Sequence, residues 1–147
     1  MTSDASQPSI LLVEDDQMDI MNVQRELRKH NIDVPLYVAR NGKEALSLLR
    51  GEDGKEQIPK PNVVMLDINM PRMNGLELLQ ILRSDPDFVG LNVFITTTSD
   101  LETERFKAQE LAVSGYIIKP LSFDKFGEGG TTVDGFSLFL DLLRLKD

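Results

Sequence analysis

Ile10-Leu11-Leu12-Val13-Glu14-Asp15-Asp16 is a four-residue apolar run that breaks into three consecutive carboxylates. A run this short, continuous and rich in branched side chains reads as a strand buried on both faces of a sheet. The pattern recurs along the chain: Val63–Leu66 ends on Asp67, Val93–Ile95 ends on the triplet Thr96-Thr97-Thr98, and Tyr116–Ile118 ends on Lys119. Leu36–Ala39 is a fifth run, and Pro35 just before it marks an edge strand, because proline cannot donate to a ladder. If the runs are parallel strands, the polar groups that end them meet on one rim. Ligands of open α/β sheets bind in the crevice outside the carboxyl ends of the strands. Three carboxylates, a hydroxyl and an ammonium gathered there point to a site for a divalent cation and a phosphoryl group.

Between the runs the apolar residues change to helical spacing. Ile20, Val23 and Leu27 share one face of a helix that begins at Asp16 and runs to about His30. Asn41-Gly42-Lys43-Glu44 resembles a capping box and opens a second helix, carried by Ala45, Leu46, Leu48 and Leu49 to Arg50. Gly75–Arg83 carries Leu76, Leu79 and Leu82, and Ser99-Asp100-Leu101-Glu102 is a capping box for a helix to about Ala112. Strands alternating with helices predict an α/β fold, a doubly wound five-stranded parallel sheet with helices on both faces. Gly51–Asn62, with two glycines and two prolines, reads as a surface loop.

The chain has 147 residues, enough for one domain with a core of its own. Residues 1–8 read as a disordered tail and 9–147 as the domain. A formal charge of −8 and a pI near 4.7 exclude the basic surface that nucleic acid requires. Without cysteine there are no disulfides, thiolate metal ligands or thiol chemistry. Met1–Ser9 lacks the basic and apolar regions of a signal peptide, and no apolar run approaches the roughly 20 residues of a membrane span. A cytoplasmic protein with no membrane partner is expected.

Bringing Glu14, Asp15 and Asp67 together costs about 4 kcal/mol per like-charge contact at about 4 Å and an effective dielectric near 20. Such a cluster wants a cation, and few hard oxygen donors plus a phosphate suit Mg2+. His30, the only histidine, reads as a cation at a helix C-terminus rather than a phosphodonor.

Four elements in order carry a resemblance: Val13-Glu14-Asp15-Asp16; Leu66-Asp67-Ile68-Asn69-Met70-Pro71 closing on Gly75; Thr97-Thr98-Ser99; and Ser114-Gly115-Tyr116-Ile117-Ile118-Lys119-Pro120. With thirty residues from Asp67 to Thr97 and twenty-two from Thr97 to Lys119, the stretch from Ile10 to Phe126 resembles the receiver domain of two-component response regulators. The resemblance implies a flavodoxin-like sheet of order 2-1-3-4-5. It implies that Asp67 accepts a phosphoryl group from a sensor histidine kinase, and that Mg2+ binds Asp15, Asp67 and the main-chain carbonyl of Asn69, with Glu14 orienting its water. It assigns Lys119 and Thr97 to the phosphoryl oxygens, although a slip of one residue would hand the threonine's part to Thr96 or Thr98. Thr97 and Tyr116 become the switch pair, Asn69 and Ser99 the flanks of the hydrolytic water, and Lys119-Pro120 a cis peptide.

Only 27 residues follow Pro120, so a single-domain regulator whose output is a protein contact is expected. The loop at 51–62, the Leu66–Pro71 string and the aromatic tail make it similar to the small regulators that partner bacteriophytochromes. In the tail, Gly127–Thr132 breaks any helix, and a helical extension resumes from Asp134 to Leu145. Its seven apolar residues in ten positions exceed what one docking face hides, so a homodimer through Phe136, Phe139 and Leu143 is expected. Two other classes compete. A haloacid dehalogenase phosphatase also uses an aspartyl phosphate, but needs a second aspartate where this chain has Asn69. A flavodoxin-like nucleotide-binding module needs a glycine-rich phosphate loop after Val13, where Glu14-Asp15-Asp16 would repel an anion.

Overall fold

The computed structural model describes residues 8–68, 75–97, 111–118 and 143. Within them β1 (Ile10–Val13), β2 (Leu36–Ala39), β3 (Val63–Asp67), β4 (Val93–Thr97) and β5 (Gly115–Ile118) form one parallel sheet in the order β2-β1-β3-β4-β5. The described helices are α1 (Gln17–Lys29), α2 (Gly42–Arg50) and α3 (Gly75–Ser84). Pro35 stands before the edge strand, as its chemistry requires, and its carbonyl accepts from Ile10 N at 3.0 Å. The third strand runs one residue beyond its apolar run to include Asp67.

Strand side chains alternate between two apolar layers. Leu11, Val13, Val64, Leu66, Val93 and Ile95 pack on α2 and α3 through Ala45, Leu49, Leu78, Leu79 and Leu82. Ile10, Leu12, Val63, Met65, Phe94 and Ile117 face α1 through Ile20, Val23 and Leu27. Both faces of the sheet are thus covered, and the strands are buried throughout β1, β3 and β4. Each fully buried aliphatic side chain contributes about 1.5–3 kcal/mol, which holds the charged rim in place.

Local chemistry sets the helix ends. The Asp16 carboxylate accepts from Met18 N at 2.8 Å and starts α1 immediately after the carboxylate run. Asn41 accepts from Glu44 N at 2.8 Å, while Glu44 Oε1 accepts from Arg40 N at 2.6 Å. This is the expected capping box with its return bond moved one residue upstream. Gly51, at φ 71°, closes α2 in the left-handed conformation and donates its N–H to Ser47 O.

Two contacts tie the helices to the sheet rim. At Gly75 a Cβ would lie 2.5 Å from Ile68 Cα and 2.6 Å from the Asp67 carbonyl oxygen, so only glycine lets α3 begin against the backbone that carries Asp67. Arg83, on the last turn of α3, donates to the carbonyls of Leu111 (2.7 Å), Val89 (3.0 Å) and Ala112 (3.1 Å). Burial lowers the Arg83 pKa, yet the guanidinium stays charged, and it anchors the segment that enters β5.

One expectation is corrected. Leu143 is fully buried and belongs to the layer under α1 with Ile10, Leu12 and Phe94. The apolar face of β1, β3, β4 and β5 takes this side chain inward, so Leu143 is core rather than exposed surface. The tail at 1–7, Asn69, Thr98, the helix opened by Ser99, Lys119 with Pro120, the glycine break at 127–132, and Phe136 and Phe139 lie outside the described residues. No described helix is long and apolar enough to cross a membrane.

Leu143→Ala should lower stability by about 2–5 kcal/mol, read as a lower urea midpoint at unchanged slope; an unchanged midpoint would place Leu143 outside the core. Gly75→Ala should cost about 1–3 kcal/mol through overpacking against Asp67 and Ile68. In the same denaturation measurement, a wild-type midpoint for Gly75→Ala would mean that α3 does not rest on that backbone.

Candidate functional site

The carboxyl ends of β1 and β3 lie side by side because Val13 pairs with Leu66 in a parallel register. Glu14 and Asp15 leave β1 at the point where Asp67 ends β3. One carboxylate oxygen from each of Glu14, Asp15 and Asp67 lies within 4.8 Å of the others. Glu14 is 2% exposed and Asp67 3%, while Asp15 is half-buried and open to solvent on one side. Two of the three charges are therefore largely removed from water, where their repulsion is least screened.

Backbone groups offset part of this charge. Asp16 N donates to Glu14 Oε2 at 3.2 Å, and the start of α1 adds the partial positive charge of a helix N-terminus. Among the described residues the donors are carboxylate oxygens, which fits a hard divalent ion such as Mg2+ or Mn2+ and not a zinc site built from imidazole or thiolate.

The register also sorts the threonines. Asp67 pairs with Thr96, and Ile95 pairs with Tyr116. Alternation then puts Thr96 on the α1 side with Phe94, and Thr97 on the opposite side with Ile95 and Tyr116. Thr97 is 1% exposed, and Tyr116 is half-buried against the layer that contains Ile95. Thr97 and Tyr116, paired by resemblance, thus share a face of the sheet. Sequence spacing singles out Thr97 and leaves Thr96 as a one-residue slip, while the sheet places Thr96 directly across from Asp67. Two-residue alternation counted forward from Phe94 is the signal that gives its face.

His30 caps α1 at the end away from the carboxylates, about 20 Å along a 13-residue helix at about 1.5 Å per residue. Its Nε2 lies 3.8 Å from Glu26 Oε1. It is a helix-terminal group, as its position in the sequence implies, and plays no part in the acidic site.

Comparison with known proteins gives a consistent answer. The family model for the response regulator receiver domain matches residues 10–128. Response regulator Rcp1 of Synechocystis sp. is 37% identical over 119 residues, covering 80% of this chain and 81% of that protein. Among solved structures, the bacteriophytochrome response regulator RtBRR superposes with a TM-score of 0.74 at 31% identity, covering 92% of this chain and 77% of that one. The Mn2+-bound form of response regulator Rcp1 superposes with a TM-score of 0.73 at 30% identity, covering 95% of both chains. With its 2-1-3-4-5 parallel sheet and three carboxylates converging where β1 and β3 end, the chain belongs to the response regulator receiver domains, signalling modules that bind a divalent metal at this acidic site and do not turn over substrates as enzymes do.

Proposed function

We propose that the chain accepts a phosphoryl group from a sensor histidine kinase onto Asp67, with Mg2+ held by Glu14, Asp15 and Asp67, and signals through a phosphorylation-dependent protein contact. The observation that carries this reading is the convergence of the three carboxylates within 4.8 Å at the end of β3. Asp67 is an acceptor-only nucleophile at the end of β3, beside the more open Asp15. One of its oxygens attacks the phosphorus of a phosphohistidine; the P–O bond forms as the P–N bond breaks, and the electron pair returns to the imidazole nitrogen. A bound Mg2+ supplies positive charge for the carboxylates and the phosphoryl oxygens.

The chain's own residues do the rest. Asp15, the most accessible of the three, and Glu14 hold the cation side, and the main-chain carbonyl of Asn69 completes the protein donors. Lys119 and the Thr97 hydroxyl are assigned to the phosphoryl oxygens, and Asn69 and Ser99 to the flanks of the water that ends the signal. The face shared by Thr97 and Tyr116 supports a readout in which both side chains respond to the phosphate. The phytochrome-associated relatives favour a kinase of bacteriophytochrome type as donor. Met18, 73% exposed, and Met21 offer apolar surface on α1 next to the carboxylates, where a protein donor must approach.

Incubation with a small phosphodonor and Mg2+ should give a hydroxylamine-sensitive label on the wild type and none on Asp67→Asn. The variant should remain folded, and in metal-free buffer be at least as stable as the wild type, since one of three repelling charges is gone. Label retained on Asp67→Asn would refute the assignment.

Mg2+ at about 100 times its Kd should stabilise the wild type by about 2.7 kcal/mol, read as a higher thermal midpoint. Asp15→Ala should lose most of that gain. An equal response in both proteins would place the cation elsewhere.

A further inference from the structure

We propose that Thr96 positions Glu14 for the metal ion through one buried water, held in a small cavity that the two residues share under α1; the inference rests on the metal-site reading above. Thr96 stands opposite Asp67 in the register, and its side chain turns toward α1. It is only 4% exposed, and among the described residues its Oγ1 has no hydrogen-bond partner. A buried hydroxyl without a partner is destabilising, so native structures rarely keep one without a water.

The cavity beside it supplies the place for that water. Its polar walls are Glu14, Asp19, Asn22 and Thr96, and apolar side chains of β1, α1 and β5 close the remainder. The room for a water's centre is about 10 Å3, which corresponds to one molecule. A water there has the two to four polar partners that buried waters need. The ionised Glu14 can only accept, so the water donates to it, and the Thr96 hydroxyl donates to the water.

This arrangement makes Thr96 a positioning residue. It touches neither the metal nor the phosphoryl group, but it restrains the carboxylate that faces the metal. Outer partners of metal-ligating groups commonly change affinity 10- to 100-fold when removed. The competing explanation is that Thr96 merely fills a strand position suited to β-branched residues. That explanation has the opposite consequence, because Val would then replace an unpaired hydroxyl with a methyl group of similar size and stabilise the protein.

Calorimetric titration of Mg2+ into wild type, Thr96→Val and Thr96→Ser, with thermal midpoints of the metal-free proteins, separates the two. Thr96→Val should weaken Mg2+ roughly tenfold or more without raising the metal-free midpoint, and Thr96→Ser should restore binding to within about threefold of wild type. Wild-type affinity in Thr96→Val, or a higher metal-free midpoint, would overturn the proposal. Absence of an ordered water on Thr96 Oγ1 in a high-resolution crystal structure of the wild type would overturn it independently of whether the variants fold. A wild type that binds no Mg2+ would overturn the metal-site reading itself and this inference with it.

Discussion

Mutual repulsion of Glu14, Asp15 and Asp67 is the constraint around which the rest of this domain is arranged. Carboxylates that could separate would do so, at a gain of about 4 kcal/mol for each contact relieved at 4 Å and a dielectric near 20. They stay within 4.8 Å because each is attached to the end of a strand whose apolar residues have nowhere else to go. β1 and β3 are buried along their whole length, and the energy of that burial exceeds the repulsion at their ends. The site therefore holds unfavourable electrostatics that a divalent cation would relieve.

That storage works only if the backbone beneath the charges cannot relax. Gly75 lets the start of α3 rest against the carbonyl of Asp67 and the Cα of Ile68, a contact that any side chain would open. Arg83, eight positions beyond that start, fastens the far end of α3 to the carbonyls of Leu111 and Ala112 just ahead of β5. One helix thus touches the backbone of the candidate phosphoacceptor at its beginning and the approach to Tyr116 at its end. A rigid element spanning both places is a physical route by which events at β3 and β5 share one frame.

The two faces of β4 divide the labour of the rim. Thr97 looks toward Ile95 and Tyr116, on the side of α2 and α3, while Thr96 looks toward α1 and the cavity it shares with Glu14. Adjacent residues of the same type thus reach different neighbours for the single reason that strand side chains alternate. The tail contributes to the α1 side as well, since Leu143 lies in the same apolar layer as Phe94 and Ile117.

Strands β1 to β5, helices α1 to α3 and the carboxylate set are legible in the sequence alone. Each is written locally: continuous branched runs for buried strands, Asp16 and Asn41 at helix starts, Gly51 at a helix end, and acids immediately after β1 and within the last residue of β3. What it could not decide depends on residues far apart in the chain. Whether Leu143 faces solvent or core is a matter of how much sheet α1 leaves to be covered, which no local pattern encodes. Which threonine stands across from Asp67 depends on strand register, fixed only when β3 and β4 pair. Gly75 is legible as part of a motif, but its necessity is the approach of one backbone to another. Local propensity and hydrophobic period are properties of neighbouring residues, whereas register, burial at a given position and close backbone contact come into being only when distant segments pack.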